Sequence, residues 1–328
     1  MNKKDFFIKY NITEKDFEKT KIKWSELMAI RADYEEYKKK LDPIAKYVVE
    51  NLQKVENVCY ARYRVKGTDD LIAKIIRKKI KNPQRKNVTL NNYKKKVTDL
   101  IGIRALHLLK KEWESIGNFI LNNWELHETP SIKMRKGDNV SYYSKAIESG
   151  KYKKDEHKES YRSVHFLIES SPDKDMYISE IQVRTIFEEA WSEIDHKVRY
   201  PNYTDDELVN RFLKIFNNLA GSADEMGSYV VNLKENLIND KKEKEEKDGK
   251  LKDYEKKIKD LEKKINKLNV SNEKKNEIID EINDLKGEFK VLMSDNIDMD
   301  CGFVDLDAIA NGLSAVLEGE IDENGSKK

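Results

Sequence analysis

Cysteine and histidine are both scarce in this chain of 328 residues. The two cysteines, Cys59 and Cys301, cannot form a disulfide framework or, by themselves, a zinc site. The five histidines form neither an HExxH motif nor a His-Asp dipeptide. The sequence therefore lacks the marks of a zinc protease and of a metal phosphohydrolase of the His-Asp type.

Long apolar runs are also missing. The run at residues 100–109 is short and is interrupted by Arg104 and His107, whereas a membrane-spanning helix needs about 20 apolar residues. The first five residues lack the apolar core of a signal peptide. We therefore expect a soluble, cytoplasmic protein that does not bind a membrane.

Charged residues, by contrast, are abundant: they make up 38% of the chain, against about 25% in an average globular protein. The 63 Lys and Arg nearly balance the 61 Asp and Glu, so the net charge is only +2. Residues 60–98, however, hold thirteen basic and two acidic residues, and residues 295–325 hold nine acidic and no basic ones. Only the first of these regions is suited to bind phosphate groups.

The spacing of apolar residues predicts helices and strands in the N-terminal two thirds of the chain. Residues 1–50 are predicted to form a helical segment, with Pro43 as its main interruption. Residues 71–80 are predicted to form an amphipathic helix with a basic outer face. We predict three strands, at residues 100–109, 164–169 and 176–184. Thr185 and Glu188 then form a capping box, which predicts that a helix begins at once.

The C-terminal third is predicted to be mostly helical and is unusually rich in charged residues. Residues 206–238 are predicted to form a connecting helix. In residues 240–268, 21 of 29 positions are charged, yet apolar residues recur at alternating spacings of three and four. This seam resumes at residues 278–292, which predicts a charged helical hairpin over residues 239–294, with an intermolecular coiled coil as the alternative. Residues 295–328 form an acidic tail with one short predicted helix.

Two predicted strands carry polar side chains on one face. Period-two alternation places Glu180, Gln182 and Arg184 on one face of their strand, and Tyr161 and His165 on one face of theirs. A plain solvent-exposed strand face explains each pattern when it is taken alone. A binding site lined by the same side chains explains them equally well.

Taken together, four separated segments closely resemble the synthetase domain of the RelA/SpoT family. The segments are Arg64-Val65-Lys66 with Lys74, Arg77 and Lys78; Asp99-Leu100-Ile101-Gly102-Ile103-Arg104; Tyr161-Arg162-Ser163-Val164-His165; and Glu180-Ile181-Gln182-Val183-Arg184-Thr185. The resemblance implies an α+β fold over residues 51–205, with a nucleotidyltransferase-like mixed β-sheet flanked by helices. It also implies GTP/GDP pyrophosphokinase activity, in which pyrophosphate moves from ATP to the 3′-hydroxyl of GDP or GTP to make the alarmone (p)ppGpp. Residues 1–50 are too short for the family's hydrolase domain, so we expect a synthetase only.

The resemblance further implies a role for each site residue. Asp99 and Glu180 would hold Mg²⁺, Glu180 would take the proton of the ribose hydroxyl, and Arg104 would neutralise charge on the transferred group. The ATP phosphates would be bound by Arg64, Lys66, Lys74, Arg77 and Lys78. The acceptor would be bound by Tyr161, His165, Lys158, Gln182 and Arg184. Lys158 belongs to a loop that departs from the family's pattern, and Ser160 stands where the family usually has glycine.

Two other functions stay open at this point. The altered loop and the Lys-rich segment 129–160 are compatible with a toxic synthetase of the same superfamily that pyrophosphorylates the 3′ end of tRNA. A non-catalytic nucleotide-binding scaffold built on the hairpin is the second alternative, although the presence of both Asp99 and Glu180 argues against it. An antitoxin or regulatory partner bound through the hairpin, and a homo-oligomer, are also compatible with the sequence.

Overall fold

The N-terminal residues fold into three helices in the computed structural model, which describes residues 2–138, 140–156, 161–199, 206–266 and isolated positions between 276 and 287. These helices are α1 (Lys3–Tyr10), α2 (Glu14–Lys19) and α3 (Trp24–Leu52). The side-chain oxygens of Asn2 and Thr13 cap α1 and α2 by accepting backbone N–H groups. The interruption predicted at Pro43 is not present, because α3 continues through it. Leu41 and Ile44, buried on either side of the proline, hold this turn of the helix against the core.

A mixed sheet of seven strands follows in the described residues. The strands are β1 (Tyr60–Val65), β2 (Ile101–His107), β3 (Glu125–Leu126), β4 (Ser131–Met134), β5 (Lys153–Glu156), β6 (Ser163–Ser170) and β7 (Tyr177–Thr185). Their order is β1-β2-β7-β6-β4-β5, and β3 pairs with β6. The β2–β7 and β4–β5 pairs are parallel, and the other pairs are antiparallel. The predicted α+β architecture with a mixed sheet is therefore confirmed.

Among the described residues, four helices lie between these strands and a fifth follows β7. They are α4 (Thr68–Lys81), α5 (Tyr93–Lys96), α6 (Trp113–Asn123), α7 (Ser144–Glu148) and α8 (Ile186–Arg199), with a 3₁₀ turn at Lys110–Glu112. The predicted amphipathic helix at residues 71–80 is α4, and its apolar residues Leu71, Ile72 and Ile76 are fully buried. The polar segment at residues 129–160 contains β4, α7 and β5.

The sheet has one apolar and one polar face because side chains alternate along each strand. Ile103, Phe166 and Ile181 are fully buried on the apolar face, within a core to which α3 and α6 contribute. The alternate residues of the same strands point to the other face, where α8 packs on β2 and β7. Polar side chains from distant parts of the sequence are thereby collected on one surface.

The helix α8 begins after Thr185, as the capping box predicts. Only one of the two hydrogen bonds of the predicted capping box is present. The backbone N–H of Glu188 donates to Thr185 Oγ1 at 3.2 Å. The carboxylate of Glu188 instead accepts a hydrogen bond from Arg162 Nη1 at 2.6 Å. The residue therefore joins the helix to the start of β6 rather than only closing its own first turn.

The last described element, α9 (Glu207–Asn266), is one continuous helix. The chain divides into two units, Met1–Lys234 and Glu235–Lys328, and α9 continues through the predicted boundary between a connecting helix and a charged helix at residues 238 and 239. Apart from isolated positions, the second arm of the predicted hairpin and the acidic tail lie outside the described residues. Among the described residues, no helix combines the length and the apolar character that a membrane span requires.

Candidate active site

A cavity of about 350 Å³ opens on the polar face of the sheet. Side chains from β1, β2, β7 and α8 line it, together with Asp99, which precedes β2. Most of the lining residues are polar: Arg62, Arg64, Asp99, Arg104, Glu180, Gln182, Glu193 and His196, with Tyr63, Gly102 and Ile103 between them. A concave site in which polar groups from several elements converge is where a small-molecule substrate is expected to bind.

Strand register explains why these residues meet. One row across the sheet is formed by Arg62, Arg104, Gln182 and His165, and the next by Arg64, Gly102 and Glu180. Gly102 places no side chain between Arg64 and Glu180. The atom nearest to a β-carbon built there is the Arg64 carbonyl oxygen, at 3.8 Å. The glycine therefore keeps the floor of the cavity open between a cation and a carboxylate.

Asp99 is held by two lysines at the entrance of β2. Lys66 Nζ lies 2.9 Å from Asp99 Oδ2, and Lys74 Nζ contacts the same oxygen. Tyr34 fixes the backbone of Lys66 by donating its hydroxyl to the Lys66 carbonyl oxygen at 2.8 Å. Although burial opposes ionisation, the two ammonium groups hold the pKa of Asp99 below its ordinary value. Asp99 is therefore a carboxylate at neutral pH.

Glu180 faces the same cavity from β7. Gln182 Nε2 donates to Glu180 Oε2 at 3.0 Å, and His165 Nδ1 lies 3.3 Å from Glu180 Oε1. Burial favours the neutral acid, yet these two contacts hold the pKa of Glu180 below its usual value. Burial also lowers the pKa of His165, so this imidazole is neutral at neutral pH, and its Nδ1–H tautomer donates a hydrogen bond to the carboxylate.

Asp99 and Glu180 are the residues of the cavity that could hold a magnesium ion. The described residues contain no group of three or more His, Cys, Asp or Glu side chains arranged to hold a metal. Mg²⁺ needs fewer protein ligands, because one or two carboxylates hold it together with substrate phosphates and water. Asp99 Oδ1 is buried and has no hydrogen-bond partner among the described residues. Asp99 and Glu180 thus form a donor set suited to this ion.

Three arginines converge on one buried glutamate of α8. Glu189 Oε1 lies 2.6 Å from Arg62 Nη2 and 2.7 Å from Arg104 Nη1, and Glu189 Oε2 lies 3.1 Å from Arg184 Nη1. Glu193, one turn further along α8, contacts Arg62 and Arg104 as well. We call these five residues the pocket cluster. Its arginines outnumber its glutamates by one, so it places a net positive charge beside the two carboxylates of the cavity.

Four of the predicted acceptor-binding residues lie together at β6 and β7, and one of them, Gln182, lines the cavity. The Arg184 guanidinium carbon lies 4.8 Å from the centre of the Tyr161 ring, and the Tyr161 hydroxyl donates to Gln182 Oε1 at 3.3 Å. The ring of His165 meets that of Tyr161 edge to face at 5.7 Å. The fifth predicted acceptor residue, Lys158, lies outside the described residues.

The predicted ATP-binding residues are only partly brought together. Arg64 lines the cavity, and Lys66 and Lys74 flank Asp99. Lys74 also lines a smaller basic pocket together with Lys78, Lys79, Arg85, Lys86 and Lys96. Burial and the neighbouring charges of Lys74 and Arg85 lower the pKa of Lys78, as is expected where cations crowd together.

Arg77 is directed elsewhere. Its Nη2 donates to the Tyr10 carbonyl oxygen at 2.9 Å, and its guanidinium carbon lies 5.7 Å from the centre of the Tyr10 ring. Arg77 does not line the cavity. It joins α4 to α1, and the phosphate role that the motif implies for it stays a prediction.

The comparison with protein families agrees with this geometry. Residues 63–205 match the family model described as a region found in RelA / SpoT proteins. This segment is a RelA/SpoT region. It contains β2 to β7 and α8, and thus Asp99, Glu180, Arg64 and Arg104 of the cavity, whereas Arg62 lies just before it.

Solved structures and curated proteins were compared as well. The chain is similar to a GTP pyrophosphokinase family protein from Streptococcus pneumoniae (18% identity, TM-score 0.47, covering 62% of this chain and 95% of that one). It is also similar to the small alarmone synthetase 1 from Bacillus subtilis bound to its product pppGpp (20% identity, TM-score 0.39, covering 63% and 94%). No curated protein matches the chain. With both TM-scores below 0.5, assignment of the RelA/SpoT region rests on the family model.

Sequence reasoning missed a second arginine centre in the RelA/SpoT region. Arg162 Nε and Nη2 bond to the two oxygens of Asp138 at 2.6 and 3.0 Å, and Arg162 Nη1 bonds to Glu188 at 2.6 Å and to Asn217 of α9 at 3.2 Å. We call these four residues the Arg162 cluster. The only sequence signal was the position of Arg162 between Tyr161 and Ser163, which does not reveal its burial.

Proposed function

We propose that this protein is a GTP/GDP pyrophosphokinase that transfers pyrophosphate from ATP to the 3′-hydroxyl of GDP or GTP and so makes (p)ppGpp. The observation that carries the proposal is that Asp99 and Glu180 line one cavity together with arginine side chains, and that Lys66 pairs with Asp99. Transfer of a phosphoryl-type group requires positioning and charge neutralisation rather than a covalent protein intermediate. This set of residues is suited to both tasks.

The donor is assigned to the Asp99 side of the cavity. Arg64, Lys66 and Lys74 are proposed to bind the ATP phosphates, and Lys78 is proposed to bind the outer end of the polyphosphate chain. Mg²⁺, held by Asp99 and Glu180, supplies neutralisation of phosphate charge when it is bound. The two ammonium groups that contact Asp99 in the free protein are then shared between this carboxylate and the nucleotide phosphates.

The acceptor is assigned to the β6–β7 side. Glu180 is ionised and is oriented by Gln182 and His165, so it is placed to take the proton of the ribose 3′-hydroxyl. The layered arrangement of Tyr161 and Arg184 suits an aromatic base, because both a phenol ring and a guanidinium plane stack on nucleobases. Arg104 and Arg184 are proposed to stabilise the negative charge on the group in transit.

The proposal is tested with γ-labelled ATP and a panel of acceptors. The full chain is incubated with Mg²⁺ and GDP, GTP, GMP or deacylated tRNA, and Asp99→Asn serves as the matched inactive control. We expect label on GDP or GTP and none with the control. Label on the tRNA 3′ end alone would replace the proposed acceptor, and label on no acceptor would contradict the proposed activity. Because ATP and guanine nucleotides are cytoplasmic metabolites, the proposed location is the cytoplasm.

A further inference from the structure

Two glutamates of the pocket cluster differ in their exposure. The side chain of Glu189 is 10% exposed and contacts Arg62, Arg104 and Arg184. The side chain of Glu193 is 47% exposed, lines the cavity, and contacts Arg62 and Arg104. Glu193 Oε1 lies 2.9 Å from Arg62 Nη2. Glu189 is therefore buried behind the arginines and is not among the residues that line the cavity, whereas Glu193 lines it and is half exposed.

The contacts of Glu193 are those that a phosphate oxygen would make. Guanidinium groups bind carboxylates and phosphates through the same planar fork of N–H donors. With Glu189 retained and Glu193 removed, the three arginines of the pocket cluster carry two uncompensated positive charges. An anion that entered the cavity would meet Arg62 and Arg104 at the position that Glu193 now fills.

We propose that Arg62 and Arg104 form an anion subsite that Glu193 occupies in the free protein and that a phosphate group of the substrate takes over by displacing it. The identification of this anion as a nucleotide phosphate rests on the proposed function. Arg62 thereby gains a binding role, while Glu189 is a positioning residue that stays paired with all three arginines throughout.

The exchange is feasible because Glu193 is held at the surface. An ion pair that is half exposed is weak, since water competes for both partners. A phosphate group brings more negative charge and more acceptor oxygens to the same two guanidinium forks. Although partial burial favours its neutral form, the contacts to Arg104 and Arg62 keep the pKa of Glu193 below its usual value, so it competes with the substrate at neutral pH.

The test measures binding of inorganic pyrophosphate to the full chain by calorimetry, without Mg²⁺ and at low salt. Glu193→Gln removes the competing charge, and we expect pyrophosphate to bind about 3- to 10-fold more tightly than to wild type. Asp195→Asn is the matched control. It removes one negative charge from the same helix, where Asp195 Oδ1 lies 2.7 Å from Arg199 Nε, and Asp195 does not line the cavity. We expect this control to stay within twofold of wild type.

A second pair of variants assigns the gain to Arg62. Arg62→Gln should weaken pyrophosphate binding, and the gain from Glu193→Gln should shrink in the double variant because the two side chains share one interaction. An equal gain in both backgrounds would overturn the assignment to Arg62. If Glu193→Gln does not fold, we expect the same change in pyrophosphate affinity from Glu193→Ala.

The outcomes separate this proposal from the proposed function. Unchanged pyrophosphate affinity in Glu193→Gln, or an equal change in Asp195→Asn, would overturn the subsite whatever the activity of the protein. Tighter binding in Glu193→Gln without any transfer by the wild-type protein would support the subsite and contradict only the assigned reaction.

Discussion

The molecule contains two arginine–carboxylate clusters of similar chemistry and different surroundings. The pocket cluster faces a cavity and shares its arginines between a buried and an exposed glutamate. The Arg162 cluster is closed: the Arg162 side chain is 12% exposed, and its three nitrogens bond to Asp138, Glu188 and Asn217. The two clusters contain the same residue types and differ in their access to the cavity. Charged side chains that face the cavity can bind a substrate, whereas enclosed ones stabilise the packing of helices and strands.

The largest effect is expected at the cavity floor. Asp99→Asn and Glu180→Gln should each lower the rate of transfer by at least about 10³-fold, because each removes a proposed metal ligand or base while keeping the shape of the side chain. Both variants should still fold, since neither side chain belongs to the apolar core, although Asp99→Asn leaves the buried Lys66 ammonium without its carboxylate and should lower the unfolding temperature. Transfer within a few-fold of wild type would remove that residue from the site.

The Arg162 cluster should respond in the opposite way. Arg162→Gln leaves the carboxylates of Asp138 and Glu188 without their cation, and such a loss at a buried pair costs about 3–5 kcal/mol of unfolding free energy. Burial opposes the charged form of Arg162, yet Asp138 and Glu188 raise its pKa, in keeping with a permanently paired cation. Urea unfolding measures the loss.

Arg104→Gln is the matched control for Arg162→Gln. Its side chain is 24% exposed and borders the cavity, so we expect a loss of less than about 1.5 kcal/mol of stability and a large loss of transfer. If both variants were equally destabilised, the distinction between the two clusters would be wrong.

A buried carboxyl next to the Arg162 cluster should make stability depend on pH. Asp224 of α9 accepts a hydrogen bond from Thr185 at 2.8 Å, and burial, reinforced by the charge of Glu188, raises its pKa from 3.8 to about 7. Below about pH 4 the carboxyl is neutral in both the folded and the unfolded chain. As the pH rises toward 7, the unfolded chain loses this proton first, so the contribution of Asp224 to stability falls.

Asp224→Asn removes this titration. We expect the variant to gain about 1–3 kcal/mol relative to wild type at pH 8, and the gain to disappear near pH 4. Urea unfolding of both proteins at the two pH values provides the comparison. A difference between variant and wild type that did not vary with pH would show that Asp224 does not titrate in this range.

An effect on the binding of one nucleotide alone is expected at the acceptor side. Tyr161→Ala should weaken binding of GDP by about 1–3 kcal/mol, which is the usual contribution of a base stacked on an aromatic ring. Binding of ATP should barely change, because the donor is assigned to the opposite side of the cavity. Equal losses for both nucleotides would instead assign Tyr161 a structural role beneath Arg184.

The alternation of apolar residues predicted the central strands, because the buried face of each strand is apolar. Apolar residues recur along β2, β6 and β7, so the sequence of each strand indicates its conformation without reference to the neighbouring strands. β1, β4 and β5 are short and rich in charge. Their strand conformation depends on pairing with distant partners, which no local pattern contains.

The same limit applies to the site. The motifs predicted Asp99, Glu180 and Arg104 because their spacing matches a known family, and the cavity contains all three. Nothing in the sequence distinguishes Arg62, which lines the cavity, from Arg162, which is enclosed, or Arg77, which bonds to α1. Whether each arginine is exposed or enclosed depends on which helix packs over it. The positions of α8 and α9 depend in turn on tertiary contacts, which the local sequence does not specify.

The central claim is that the cavity with Asp99 and Glu180 transfers an intact pyrophosphate group, and ³¹P nuclear magnetic resonance of the reaction tests it most directly. The full chain is mixed with ATP, GDP and Mg²⁺, and the phosphorus spectrum is followed over time. The account predicts that AMP appears in equal amounts with a guanosine nucleotide carrying a second diphosphate, on its 3′-oxygen. Formation of ADP and inorganic phosphate without that product, or an unchanged spectrum, would contradict it.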